Sequence, residues 1–123
     1  MKLLVRLGAA SLAMALIAIG APAQTGAPPA FAACRACHMV QQGGSNGVGP
    51  NLYGVVGRAA ASAPGFNYSP ALKNSKLRWD EQALDAFIAA PGKKVPGTRM
   101  PIGMADPKKR AEIIAYLKAE GSK

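Results

Sequence analysis

Cysteine, histidine and acidic residues are all scarce in this chain. Two cysteines cannot build a disulfide-dense scaffold, and with one histidine they fall short of the four ligands of a structural zinc site. The 123 residues are too few for a multidomain machine, while a hydrophobic content of 50% argues against a disordered chain. Only 6 Asp and Glu oppose 15 Lys and Arg, and this net charge of +9 is typical of a protein that binds nucleic acid, anionic lipid or an acidic protein.

The N-terminal residues have the pattern of an export signal. Lys2 and Arg6 give a positive start, and an apolar run follows from Leu7 to Ile19. That run is shorter than the ~20 residues that a membrane-spanning helix needs. Ala21-Pro22-Ala23 then has the small-x-small arrangement of a signal-peptidase site. A retained N-terminal anchor is the alternative interpretation.

We therefore expect a signal peptide over residues 1–23, cleaved after Ala23, and one domain over residues 24–123. Loss of Lys2 and Arg6 lowers the formal net charge from +9 to +7. Export also implies an oxidising compartment, most simply a bacterial periplasm.

The rest of the chain predicts short helices. Proline in the first turn favours a helix from Ala30 to about Val40. Asp80 can cap a second helix with an apolar face. Asp106 can cap a last helix that has Pro107 in its first turn and ends at Gly121.

Long loops separate these helices. Glycine and proline are so frequent between residues 42 and 70 that no long element fits there. No repeats or strand-like alternation occur, so the fold class is all-α. A small domain that spends so many residues on loops has little side-chain mass for a core, and something large and apolar should complete its interior.

The run Cys34-Arg35-Ala36-Cys37-His38 is the Cys-x-x-Cys-His pattern of covalent haem attachment. Two thiols three residues apart lie on one side of a helical turn, where they can meet two vinyl groups of one ring. His38 can then ligate the iron. A plain disulfide or a thioredoxin-like pair would use Cys34 and Cys37 alone, but no βαβ pattern surrounds them.

The methionines are the candidates for a sixth iron ligand. Met39 follows the proximal histidine directly and cannot reach the other ring face. Met100 lies in Pro96-Gly97-Thr98-Arg99-Met100-Pro101, where proline at both ends restrains the backbone. We predict Met100 as the ligand and Met104 as a core residue, since methionine usually fills gaps in packing.

Further motifs accompany the haem box along the chain: Gly49-Pro50-Asn51-Leu52-Tyr53-Gly54, Gly57-Arg58, Ala63-Pro64-Gly65-Phe66-Asn67-Tyr68-Ser69, Trp79, Pro96-Gly97-Thr98-Arg99-Met100 and Ile114-Ala115-Tyr116-Leu117-Lys118. With these motifs the chain resembles the soluble class I cytochromes c of the mitochondrial and related bacterial type from about Phe31 to Lys118. This resemblance implies an all-α single domain, with short helices and long loops around one haem c joined to Cys34 and Cys37. It also implies that the Phe31 region crosses the last helix near Ile113 and Tyr116.

The resemblance also implies roles for residues around the haem. The Pro50 carbonyl would orient the imidazole of His38. Tyr68 and Trp79 would donate to a buried propionate whose charge Arg58 compensates, and Thr98 would hydrogen-bond near the other propionate.

The function implied is one-electron transfer by a soluble carrier between membrane complexes or dehydrogenases. Two axial ligands leave no open position for substrate, so we do not expect an enzyme; a haem peroxidase or gas sensor with a labile Met100 is the alternative. A secreted structural module without haem is a further one.

We expect a monomer that meets membranes only peripherally and binds no nucleic acid, because its basic residues are dispersed. The partners would be acidic docking faces of an oxidase, a bc-type complex, a reaction centre or a dehydrogenase. The basic residues expected near the exposed haem edge are Arg35, Lys73, Lys93, Lys94, Arg99, Lys108 and Lys109.

Overall fold

Five short helices and one 3-10 turn form the regular structure of the computed structural model, which describes residues 26–123. The 3-10 turn is Pro29–Phe31, and the helices are α1 (Ala32–Arg35), α2 (Pro70–Asn74), α3 (Glu81–Ala89), α4 (Pro91–Lys94) and α5 (Pro107–Glu120). The one β-type pairing in this part of the chain is an isolated bridge between Ala59 and Arg78, so the predicted all-α class is confirmed. The predicted signal peptide over residues 1–23 lies outside the described residues. Within 26–123, every helix is too short or too polar to cross a membrane.

Aspartate caps begin the two long helices, as the sequence predicts. The Asp80 carboxylate accepts a hydrogen bond from the Ala83 amide at 2.7 Å at the start of α3. The Asp106 carboxylate accepts from the amides of Lys108 and Lys109 at 2.9 and 3.4 Å at the start of α5. Each cap satisfies amides that have no partner inside their helix.

The helix predicted over residues 30–40 is much shorter than expected, and this prediction is wrong in extent. Past α1, the carbonyls of Cys37 and Met39 turn away from the helical direction. They accept from the amides of Gly49 and Leu52, each at 2.8 Å. Because these backbone groups pair with a distant loop, the helix stops before the haem box is complete.

The short helix α2 begins at the end of the loop region in which no long element was predicted. The Ser69 hydroxyl caps it by accepting from the Leu72 amide at 3.2 Å, and Pro70 occupies its first turn. It follows the Gly- and Pro-rich loops on one side and leads into the bridge at Arg78 on the other.

The start of the described chain crosses α5 at the centre of the core. The rings of Phe31 and Tyr116 meet edge to face with centroids 4.8 Å apart. Phe31 and Ile113 are the most buried of the large side chains, each 1% exposed. The helix α3 packs along α5 on the same core. The expected crossing of the first and last helical segments is therefore confirmed.

Candidate haem site

A mostly apolar cavity of about 400 Å³ lies between the helices and the long loops. Protein interiors contain few voids larger than a water molecule, so a domain of this size needs a large apolar occupant here. Nearly every segment contributes to the apolar walls: Phe31, Leu52, Leu72, Leu84, Phe87, Ile88, Ile113 and Leu117. All nine residues predicted as haem contacts also line it: Cys34, Cys37, His38, Pro50, Arg58, Tyr68, Trp79, Thr98 and Met100.

Cys34 and Cys37 lie at the cavity wall where α1 ends. Both side chains are half-buried, and no disulfide joins them. The amides of Cys37 and His38 both donate to the Cys34 carbonyl, at 3.1 and 3.0 Å, and this tight turn brings the three side chains to one wall. Burial, and to a smaller extent the neighbouring Cys37, raises the pKa of the Cys34 thiol.

His38 is held by the loop that follows it. Its Nδ1 donates to the Pro50 carbonyl at 2.7 Å, because a carbonyl can only accept. This bond assigns the proton to Nδ1 and leaves the lone pair of Nε2 for a metal. Burial lowers the pKa of His38, and the bond to Pro50 opposes this only in part. The imidazole is therefore neutral at pH 7, which is the form that binds iron.

Two neighbours of Pro50 support His38 and were not predicted as site residues. A Cβ on Gly49 would overlap the imidazole of His38, so glycine permits the close approach. The buried Asn51 amide donates to the carbonyls of Gln41 and Gly44, both at 3.0 Å. The sequence signal that could have identified Asn51 is its residue type, because asparagine side chains favour turns in which they accept from the amide two residues on. The Asn51 side-chain oxygen does this here, accepting from the Tyr53 amide at 2.8 Å.

Met100 and Met104 both reach the cavity from the segment between α4 and α5. The Met100 amide donates to the Thr98 hydroxyl at 3.3 Å. The Met104 amide donates to the Ile88 carbonyl at 2.8 Å, which ties its backbone to the end of α3. Met100 is thus the less firmly anchored of the two methionines.

The polar part of the cavity contains Arg58, Tyr68 and Trp79. Arg58 donates from its two terminal nitrogens to the carbonyls of Tyr53 and Asn51, at 2.8 and 3.0 Å. Its buried Nε has no hydrogen-bond partner, which costs about 1–3 kcal/mol for a buried donor. The Tyr68 hydroxyl accepts from the Ala63 amide at 2.9 Å, which leaves its own hydrogen to donate.

These donors fit the group that the Cys-x-x-Cys-His pattern implies. Burial lowers the pKa of Arg58, but an arginine side chain stays protonated in proteins. A haem brings an apolar ring that would fill the cavity, and carboxylates that would accept from Arg58 and Tyr68.

Comparisons with known proteins agree with this site. The cytochrome c family model matches residues 23–120. The cytochrome c2 of Rhodoblastus acidophilus is 52% identical over 97 residues, covering 76% of this chain and 91% of that protein. The structure of cytochrome cH from Methylobacterium extorquens is 53% identical with a TM-score of 0.69, and that of cytochrome c2 from Rhodospirillum centenum is 32% identical with a TM-score of 0.71. Each match covers 73% of this chain and 91% of the chain in the solved structure. The chain therefore belongs to the cytochrome c family, as an electron carrier with covalently bound haem c rather than an enzyme.

Proposed function

We propose that this chain carries single electrons on one haem joined to Cys34 and Cys37, with His38 and Met100 as the axial ligands of the iron. The observation that carries the proposal is that these four side chains line one apolar cavity, although Met100 is distant in sequence from the others. Bound haem supplies an iron that alternates between the ferric and ferrous states.

The chain's part on the proximal side is to fix the histidine. The bond from His38 to Pro50 holds the imidazole in one tautomer and orientation and makes it a more basic ligand. A ring held in this way moves little when the charge on the iron changes. Fast electron transfer needs such small rearrangement.

On the distal side the chain offers a thioether and apolar surface. A methionine ligand favours ferrous iron and so raises the reduction potential. The side chains of Leu72, Phe87 and Ile88 in the same cavity exclude water, which raises it further. With His38 and Met100 both holding the iron, no coordination position would be open to a substrate.

The propionates would meet the polar part of the cavity. Arg58 offers its unpartnered Nε, Tyr68 its hydroxyl hydrogen and Trp79 its indole N–H. Thr98 also lines the cavity, and its hydroxyl would hydrogen-bond near the second propionate. A charge-assisted hydrogen bond to Arg58 would remove the cost of its buried, unpaired donor.

We further propose that the protein works in a periplasm after cleavage behind Ala23, and that the cavity mouth docks on acidic redox partners. Arg99 lines the mouth and donates to the Asn67 carbonyl at 3.0 Å, which fixes its guanidinium there. Two acidic side chains of α3, Glu81 and Asp85, are in contrast paired with basic residues of α5. This uneven balance favours approach of an acidic surface to the mouth.

Replacing Met100 with Ala in the holoprotein tests the ligation. The haem should stay attached while the thioether–iron absorption disappears, the reduction potential falls and added imidazole or carbon monoxide binds quickly. Met104→Ala is the matched control, since it removes a cavity-lining methionine from the same segment. Loss of the absorption in the Met104 variant and its survival in the Met100 variant would show that the ligand is misassigned.

A further inference from the structure

One largely buried guanidinium joins three separate parts of the fold. Arg110 lies in the first turns of α5, and its side chain is 12% exposed. Its Nε donates to Asp85 Oδ1 on α3 at 2.7 Å. Its Nη1 donates to the carbonyls of Met104 and Ala105, at 3.0 and 2.7 Å. Arg110 therefore connects α5 and α3 to the end of the segment that carries Met100.

That segment lies close against the end of α3. The Met104 amide donates to the Ile88 carbonyl at 2.8 Å. A Cβ on Gly103 would come within 2.8 Å of the Ala89 carbonyl oxygen, so the backbones are already in close contact. Towards the ligand the anchoring weakens, because the Met100 amide reaches its threonine partner only at 3.3 Å. The position of Met100 thus depends on how firmly the far end of the segment is held.

We propose that Arg110, oriented by Asp85, is a positioning residue that keeps Met100 on the iron. The proposal rests on the proposed ligation by Met100. A guanidinium is a rigid fork, so the carboxylate that binds Nε sets the direction in which Nη1 points. Without Asp85 the fork loses this orientation and its charged partner. The carbonyls of Met104 and Ala105 are then held less firmly, and the thioether leaves the iron more often.

The chain contains a matched control for this contact. The Lys118–Glu81 pair joins the same two helices at 3.2 Å, and both side chains are more than half exposed. Neither of its hydrogen-bonding groups contacts the segment between α4 and α5 in the described chain. Glu81→Ala therefore removes an ion pair between α3 and α5 without touching the support of Met100.

The test is ligand displacement in the ferric holoprotein. Imidazole at saturating concentration replaces the thioether at the rate at which Met100 dissociates, and stopped-flow loss of the thioether–iron absorption measures that rate. Asp85→Ala should raise it about 10-fold and Arg110→Gln up to about 100-fold, the factors that one or two hydrogen bonds to a charged group are worth. Glu81→Ala should stay within about twofold of the unmodified protein, as expected for a solvent-exposed ion pair.

Denaturant unfolding of the same variants separates positioning from general packing. If Arg110 only stabilised the helix pair, both variants would unfold more easily while the displacement rate kept its original value, and that result would overturn the proposal. An equal rise in Glu81→Ala would overturn it too. If Arg110→Gln fails to fold, the displacement rate of Asp85→Ala alone decides whether the proposal holds. Absence of the thioether–iron absorption in the unmodified protein would instead overturn the ligation by Met100 itself.

Discussion

Gly49 is the position where the smallest change should have the largest effect on the haem site. An alanine Cβ there would overlap the imidazole Cε1 of His38 and lie 2.7 and 2.8 Å from its two ring nitrogens. Ordinary contacts between such atoms begin near ~3.5 Å. The backbone of Gly49 is not in the left-handed region, so alanine fits the main chain and the clash with the ring is the whole perturbation.

The expected loss of stability has two parts, the loss of the hydrogen bond from His38 and the cost of overpacking. To clear the methyl group the ring has to retreat by roughly 1 Å, which exceeds the tolerance of its 2.7 Å bond to the Pro50 carbonyl. Losing that bond costs about 1 kcal/mol. The overpacking itself costs about 1–3 kcal/mol. Gly49→Ala should therefore lower the free energy of unfolding by about 2–4 kcal/mol, a shift in Tm of roughly 10–30 °C.

The measurement is denaturant unfolding of the holoprotein, followed by haem absorbance and by circular dichroism. Gly92→Ala is the control, because nothing lies within 4 Å of a Cβ at Gly92 and its φ is also outside the left-handed region. That control should unfold at the original denaturant concentration or slightly above it. If Gly49→Ala and Gly92→Ala unfold together with the same haem spectrum, the support of His38 by this close approach is refuted.

Two further outcomes are expected. Lys76 has a φ of 57°, so Lys76→Gly should raise the free energy of unfolding by about 0.5–1 kcal/mol, whereas Lys73→Gly within α2 should lower it by a similar amount in denaturant titrations. Electron transfer to acidic partners should slow steeply as salt shortens the Debye length to ~10 Å near 0.1 M, and Arg99→Glu should slow it more than Lys123→Glu. Stopped-flow rates that do not change with salt would contradict the docking proposal.

Local signals in the sequence predicted the starts of the long helices, because their causes are local. Asp80 and Asp106 cap amides only two or three residues away. The extent of the first helix was predicted wrongly for the opposite reason. The amide of Gly49, twelve residues beyond Cys37, takes the carbonyl that would have continued the helix. No helix propensity encodes a partner at that separation.

The same distinction applies to the site. The spacing of the haem box and the proline-flanked Met100 can be read from short stretches of sequence, and the structure brings both to one cavity. The residues that support these groups cannot be read from short stretches of sequence. Arg110 and Asp85 are 25 residues apart and look like ordinary surface charges until α3 and α5 pack together. Asn51 looks like a loop residue until its amide bonds to Gln41.

The two residues proposed to ligate the iron, His38 and Met100, are therefore held by different means. On the proximal side, Pro50 and its neighbours bond back to residues 38–46 within one continuous loop, so the support forms wherever that loop forms. On the distal side, the support of Met100 passes through one side chain of α5 and one of α3, and it exists only when those helices are packed. A thioether is the weaker ligand of the two and supplies little restraint of its own. If Met100 ligates the iron as proposed, it follows that the packing of α3 on α5, remote from the attachment box, sets how firmly that ligand is held, and through it the reduction potential.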